Sequence, residues 1–431
     1  MNEEILSFIW RYQYFERSDL RTDDGLPLTI IRPGLKNLHS GPDFSGARIT
    51  IEGVEWAGTI EIHTQSSHWL KHRHENDPVY RSVILHVVWE NDIPMKHQEG
   101  SVIPTLTLKS LVKLSVLQRY TSLIEDKHPI ACCQQFSEVD KIYKITMLDR
   151  ALLSRMESKA TQILTLAEEN QQDWAQTGYQ WITKHFGFKL NDPVFFRLSQ
   201  LLPLKTLLKH RSNIFQVESL LFGCAGLIPS ESDAPASDGA DVYVTALRSE
   251  YRFLKAKYNL GQIQPHEWKF MRLRPSGFPT VRLAQLAALI FNTGSIFSQL
   301  LECDHITELQ QVFHLKQSDY WRHHYTFHKK SEKTVPFMGM DAANLLIINA
   351  VIPLLTAYAR QREKQDLFDK ALDWLSDIPS EDNHIIREWK SLGINVQTSA
   401  DSQALIQQYN VFCLQKQCLN CAVGMELVRK N

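Results

Sequence analysis

Apolar residues at positions 5, 8, 9, 12 and 15 recur at the 3.6-residue period, so residues 3–17 predict an amphipathic opening helix. From about Leu26 the period shortens to two. Residues 26–32, 47–52, 56–64 and 82–89 are short, rich in β-branched side chains and bounded by Gly25, Gly34, Gly41, Gly53 and the Asp77-Pro78 pair, which predicts four strands. Residues 66–76 predict a short helix between the third and fourth strands, with Ser66 or Ser67 available as its cap. Beyond about Val139 strand signals nearly vanish, and 142–169, 195–209, 243–258, 280–290, 342–362 and 364–375 favour helix. The fold class expected is therefore an α/β N-terminal domain, residues 1–135, with a helix, a mixed sheet containing a β-hairpin, a helix and a strand. A mainly α-helical region, 136–431, follows it. Residues 228–241, rich in Ser, Asp, Ala and Pro, predict a loop that joins or lids helices.

Composition narrows the class without choosing a function. With 431 residues, 43% hydrophobic and 22% charged, the chain has the profile of a folded protein large enough for two or three domains. Its 47 basic residues against 48 acidic ones remove a globally basic surface as a cue for nucleic acid, leaving only a local groove. Two acids precede the first apolar stretch, unlike a secretory signal, and the longest apolar run, 345–359, is interrupted by Asn349 and Pro353. A cytoplasmic protein with no membrane association and seven reduced cysteines is expected.

The densest chemistry lies between Gly41 and His86. Side chains alternate along a strand, so Glu61, His63 and Gln65 share one face with Thr59, while Ile60 and Ile62 take the other. A hairpin joining 47–52 to 56–64 brings Asp43, before the first arm, close to the end of the second. Two carboxylates then converge beside a basic or amide group, a donor set suited to Mg²⁺ or Mn²⁺ and to hydrolysis of a phosphodiester. The plainer reading gives Asp43 a turn-capping role and Glu61 a solvated ion pair, and the two readings stand at even odds. His72 and His74, two apart, do not share a helix face and read first as surface histidines that contact phosphate. A zinc hydrolase using His63, His72, His74 and His86 is a further alternative. His86, between Leu85 and Val87, reads as a hydrogen-bonded core histidine, and Trp56, Trp69 and Trp89 as packing residues.

Pro42-Asp43 followed by Glu61-x-His63, in the order helix, strands, helix, strand, resembles the PD-(D/E)XK nuclease superfamily. That resemblance implies a restriction-endonuclease-like fold, with Asp43 and Glu61 as metal ligands and a lysine two residues further on that orients water. Here His63 stands at the lysine's position, so His63, Gln65 or the shifted Lys71 takes that role. Over nearly the whole chain, Gly41-Pro42-Asp43-Phe44, Trp69-x-x-His72-x-His74-x-x-Asp77-x-x-Tyr80, Arg274-Pro275-x-x-x-Pro279-x-x-Arg282, Tyr320-Trp321-x-x-His324-Tyr325 and Cys418-Leu419-x-Cys421 also resemble an uncharacterised family of bacterial, Bacteroidetes-type proteins. That second resemblance implies no activity.

Two other groups carry chemistry. Cys413, Cys418 and Cys421 are spaced to bind Zn²⁺ or an iron–sulfur cluster if a fourth ligand joins them, such as Cys303 or His324, although reduced packing cysteines fit equally well. The adjacent Cys132 and Cys133 read as core residues. Arg274 and Arg282 flank a helix start, where they either hold a nucleic-acid backbone or lock two helices together. Lys329-Lys330, beside His323, His324 and His328, is a small basic cluster of the kind usually solvated. The preferred expectation is a metal-dependent nuclease-like protein acting on DNA or RNA. The rival is a non-catalytic nucleic-acid-binding or assembly protein with a degenerate nuclease-like sheet and a structural metal at the cysteines.

Overall fold

The computed structural model describes residues 2–37, 40–231 and 241–430. The chain divides into two compact units, one formed by Met1–Leu148 with Gln408–Asn431 and one by Asp149–Gln407. Residues 232–240, most of the predicted loop at 228–241, lie outside the described residues.

In the first unit the expected elements form, with different limits. The opening helix is α1, Glu3–Tyr12. Asn2 caps it by accepting the Ile5 N–H, and Gln13, in the left-handed conformation, ends it short of residue 17. One face, Ile5, Leu6, Phe8, Ile9 and Trp10, is buried, and Trp10 Nε1 donates to Pro33 O. The sheet comprises β1 Leu28–Arg32, β2 Leu35–Lys36, β3 Phe44–Ile51, β4 Val54–Gln65, β5 Val83–Glu90 and β6 Thr105–Thr107. Its path is β1-β3-β4-β5-β6, with β2 also pairing with β3. β1, β3 and β4 are antiparallel, whereas β4, β5 and β6 run parallel. The two-residue β2 and three-residue β6 are too short to show a period, which is why alternation alone does not find them.

Between β4 and β5 the predicted single helix is broken. It becomes α2, His68–Lys71, and a 3₁₀ turn, His74–Asn76, separated by Arg73 at a left-handed φ of 62°. Trp69 points inward from α2 and packs with Val83, Met95 and Ile103. Gly58 of β4 leaves no room for a side chain, since a Cβ there would meet Ser82 O at 2.4 Å and Ile84 Cγ2 of β5 at 2.5 Å. Gly58→Ala is expected to cost about 2–4 kcal/mol by forcing the strands apart. Urea unfolding checks this, and an unchanged midpoint contradicts it.

Among its described residues the second unit is mainly helical, with one hairpin, His324–Thr326 with Lys329–Lys330. A continuous core cluster includes Phe222, Trp268, Leu286, Trp321, Leu354 and Trp374. Pro203 splits the helix predicted over 195–209 into Asp192–Leu201 and Leu204–Lys209, because it lacks the N–H that the ladder requires. The helix predicted over 342–362 forms as the stretch Met340–Gln361, which is long and apolar enough to cross a membrane and is mostly buried inside the protein. A π-helical segment, Ile347–Val351, accommodates Pro353, and Asn349 bonds the Leu345 carbonyl while accepting from the buried Lys159.

Candidate metal centre

The register of three strands builds the site. Phe44 of β3 faces Ile60 of β4 across the antiparallel pair, so Asp43 lies beside Glu61. Glu61 faces His86 across the parallel pair, so both project from the same side of the sheet. Ile60 and Ile62, with Leu85 and Val87 as neighbours, fill the opposite side. Glu61, His63 and His86 are at most 5% exposed, and an acid is seldom buried so far unless it is paired.

The two carboxylates are interlocked through the backbone. The Asp43 N–H donates to Glu61 Oε2 at 3.1 Å, and the Ile62 N–H donates to Asp43 Oδ2 at 3.0 Å. Glu61 Oε1 faces imidazole, 3.3 Å from His74 Nε2 and 3.6 Å from His63 Nε2. His63 Nε2 also lies 3.2 Å from His72 Nδ1, and ligand atoms of His63, His72 and His74 all fall within 4.8 Å of one another. His74 is held by stacking on Tyr80, ring centroids 3.8 Å apart, and edge-on to Trp69.

His63 Nδ1 meets His86 Nε2 at 2.8 Å, and only one of these nitrogens carries a proton when both rings are neutral. His86 Nδ1 is buried with no hydrogen-bond partner among the described residues. If His86 Nε2–H donates, His86 Nδ1 is a bare lone pair and the His63 proton sits on Nε2. If His63 Nδ1–H donates, its Nε2 is free to bind a cation and His86 orients the ring, the arrangement expected behind a metal ligand. Both rings remain neutral over the physiological range. Burial, then the neighbouring imidazoles, push His63 down to about 2, and burial followed by His74 pushes His86 down to about 3.

Asp43 is shifted in the opposite sense. Burial, reinforced by the charge of Glu61, raises its carboxyl from 3.8 to about 7, with the Ile62 N–H opposing. Two acids thus share a site that favours a proton or a cation between them.

The structure gathers Asp43, Glu61, His63, His72, His74 and His86 in one place. It leaves Gln65, at the end of β4, and Lys71, on α2, exposed, with neither side chain in a hydrogen bond or ion pair among the described residues. Arg274 and Arg282 belong to the second unit. Arg274 is exposed before the turn Pro275–Gly277, whereas Arg282 is half-buried, stacks on the Phe188 ring at 4.0 Å and donates to Gln285 Oε1. Burial lowers Arg282 to about 10. Tyr80 is a contributor that sequence reasoning overlooks, although its position in the Trp69 to Tyr80 motif marks it.

A family model described as "Protein of unknown function (DUF2851)" matches residues 3–384, and the chain belongs to that family. No curated protein and no solved structure matches the chain.

Proposed function

We propose that the first unit is a metal-dependent, nuclease-like phosphodiesterase acting on DNA or RNA. The observation that carries this reading is the meeting of Asp43 and Glu61, 18 positions apart, with Glu61 facing two imidazoles of a three-histidine group. The order α1, antiparallel strands, α2 and parallel β5 supports the nuclease-like part. Mixed carboxylate oxygen and imidazole nitrogen donors fit Mn²⁺ better than Mg²⁺, which prefers oxygen alone. Asp43, Glu61, His63, His72 and His74 would hold the ion. Bound there, Mn²⁺ supplies charge neutralisation on phosphate and a water of lowered pKa. Glu61 Oε1 and the histidine nitrogens would fix the ion's place, Asp43 would have to lose its proton for it to bind, and His86 and Tyr80 orient His63 and His74.

Asp43 makes binding pH-dependent. With its carboxyl near 7, occupancy below neutrality must expel a proton. Mn²⁺ affinity is expected to rise between about pH 6 and about pH 8, with proton release per ion falling toward zero across that interval. Titration calorimetry in buffers of different ionisation enthalpy checks this, and a flat profile would remove Asp43 from the ligand set.

The test of function is cleavage of labelled DNA and RNA by the whole chain, stripped with EDTA and then supplied with Mn²⁺, Mg²⁺ or Zn²⁺. Cleavage restored most strongly by Mn²⁺ is expected. One observation favours the non-catalytic rival: His63, not lysine, follows Glu61, and Lys71 is exposed. That rival predicts nucleic-acid binding with no cleavage under any of the three ions.

A further inference from the structure

Three cysteines, Cys413, Cys418 and Cys421, return to the first unit on its second segment. None of the seven cysteines is in a disulfide. A π-helical turn, Gln408–Cys413, and a 3₁₀ turn, Cys418–Asn420, present them. The buried Gln408 amide spans two of the sulfurs, its Nε2 lying 3.2 Å from Cys421 Sγ and 3.9 Å from Cys413 Sγ. Gly424 permits the fold of this loop, since a Cβ there would sit 2.2 Å from Cys418 O.

The loop is fastened to a distant stretch of the same unit. Lys416 Nζ donates to Asp126 O at 2.7 Å and His128 O at 2.9 Å, just before the turn that carries Cys132. Cys132 lies within electrostatic reach of Cys418 and Cys421 as well as of its neighbour Cys133, and Cys413 within reach of Cys132, Cys418 and Cys421. Burial and this mutual repulsion push the Cys132 and Cys413 thiols far up and Cys418 up to about 11. Cys303 and His324, the fourth ligands expected from sequence, belong to the other unit.

Spacing separates the candidate centres. A single zinc draws four sulfurs to about 2.3 Å from itself, and so to within roughly 4 Å of one another. Among the described residues the trio of ligand atoms drawn within 4.8 Å is histidine, and the thiols are not part of it. A wider polynuclear core bridges thiolates spread in this way, and amide N–H groups directed at sulfur, as from Gln408, are a regular feature of such sites.

We propose that Cys132, Cys413, Cys418 and Cys421 together ligate an iron–sulfur cluster of the four-iron class, which ties the two chain segments of the first unit to each other. This inference is independent of the phosphodiesterase reading. The whole chain is purified without oxygen, reconstituted with ferrous iron and sulfide, and assayed for iron, acid-labile sulfide and zinc. About four irons and four sulfides per chain are expected, with a broad visible absorption that dithionite bleaches. Cys132→Ser is expected to reduce bound iron and sulfide about tenfold, whereas Cys133→Ser and Cys303→Ser retain both. Stoichiometric zinc without labile sulfide, no bound metal at all, or full iron in a Cys132→Ser protein would each overturn the proposal. The wild-type composition decides the matter even if a cysteine variant fails to fold.

Discussion

Asp43→Asn is expected to melt later than the unsubstituted protein at about pH 8 in EDTA and to lose about 10³-fold or more of its Mn²⁺-dependent cleavage. Both outcomes have one cause. Asparagine matches aspartate in shape, keeps an oxygen for the Ile62 N–H and offers Glu61 an amide donor, while deleting the charge that makes the empty pocket unfavourable. The folded-state carboxyl, at about 7, lies above its ordinary value of 3.8. Its contribution to stability is therefore complete below about pH 4 and lost as the pH rises through 7, whereas asparagine does not titrate. The advantage of Asp43→Asn should be absent at low pH and reach about 1–3 kcal/mol above neutrality. Thermal unfolding in EDTA at two pH values and a nicking assay with added Mn²⁺ measure the two halves. Cleavage at the original rate removes Asp43 from the chemistry, and earlier melting at high pH shows that the two charges are not in conflict.

Trp321→Ala should destabilise the second unit by about 4 kcal/mol. Trp321 is fully buried, stacks on Phe222 with ring centroids 4.5 Å apart and meets Phe327 edge-on. Its Nε1 donates to Tyr243 OH, which in turn donates to the buried Glu218. Burial raises the Glu218 carboxyl to about 7, while the hydrogen bonds from Tyr243 and Ser318 oppose the rise by stabilising its charged form. Removing the indole empties a large volume and breaks this chain of hydrogen bonds at its start. Trp56, 45% exposed on β4, provides the contrast, with less than about 1 kcal/mol expected for Trp56→Ala. Urea unfolding followed by circular dichroism distinguishes the two, and equal midpoints would show that the Trp321 pocket collapses at no cost.

The meeting of Asp43 and Glu61 was legible because it follows from hairpin geometry and the two-residue strand period. The approach of His72 and His74 was not. On a continuous helix their spacing sends them apart, but Arg73 adopts a left-handed conformation that only special positions favour, and His74 turns back towards the pocket. The same break leaves Lys71 outside, although its number suggests a substitute for the missing lysine. The nearness of Cys132 to the C-terminal cysteines was not legible for a different reason. Spacing reveals ligands that are neighbours in the chain, and nothing local connects position 132 with 413–421. The shortest strands and the π-helical accommodation of Pro353 depend on neighbours rather than on their own residues.

Because the first unit is made of two stretches separated by the whole of the second, vectorial synthesis on the ribosome leaves it incomplete until the end. Helix Ala422–Arg429 packs on Leu114–Glu125, where Arg119 Nε bonds Val428 O, and it emerges only after residues 149–407 have been made. The nascent protein thus carries an unfinished apolar surface for most of its translation, a window in which chaperones and proteases compete for it.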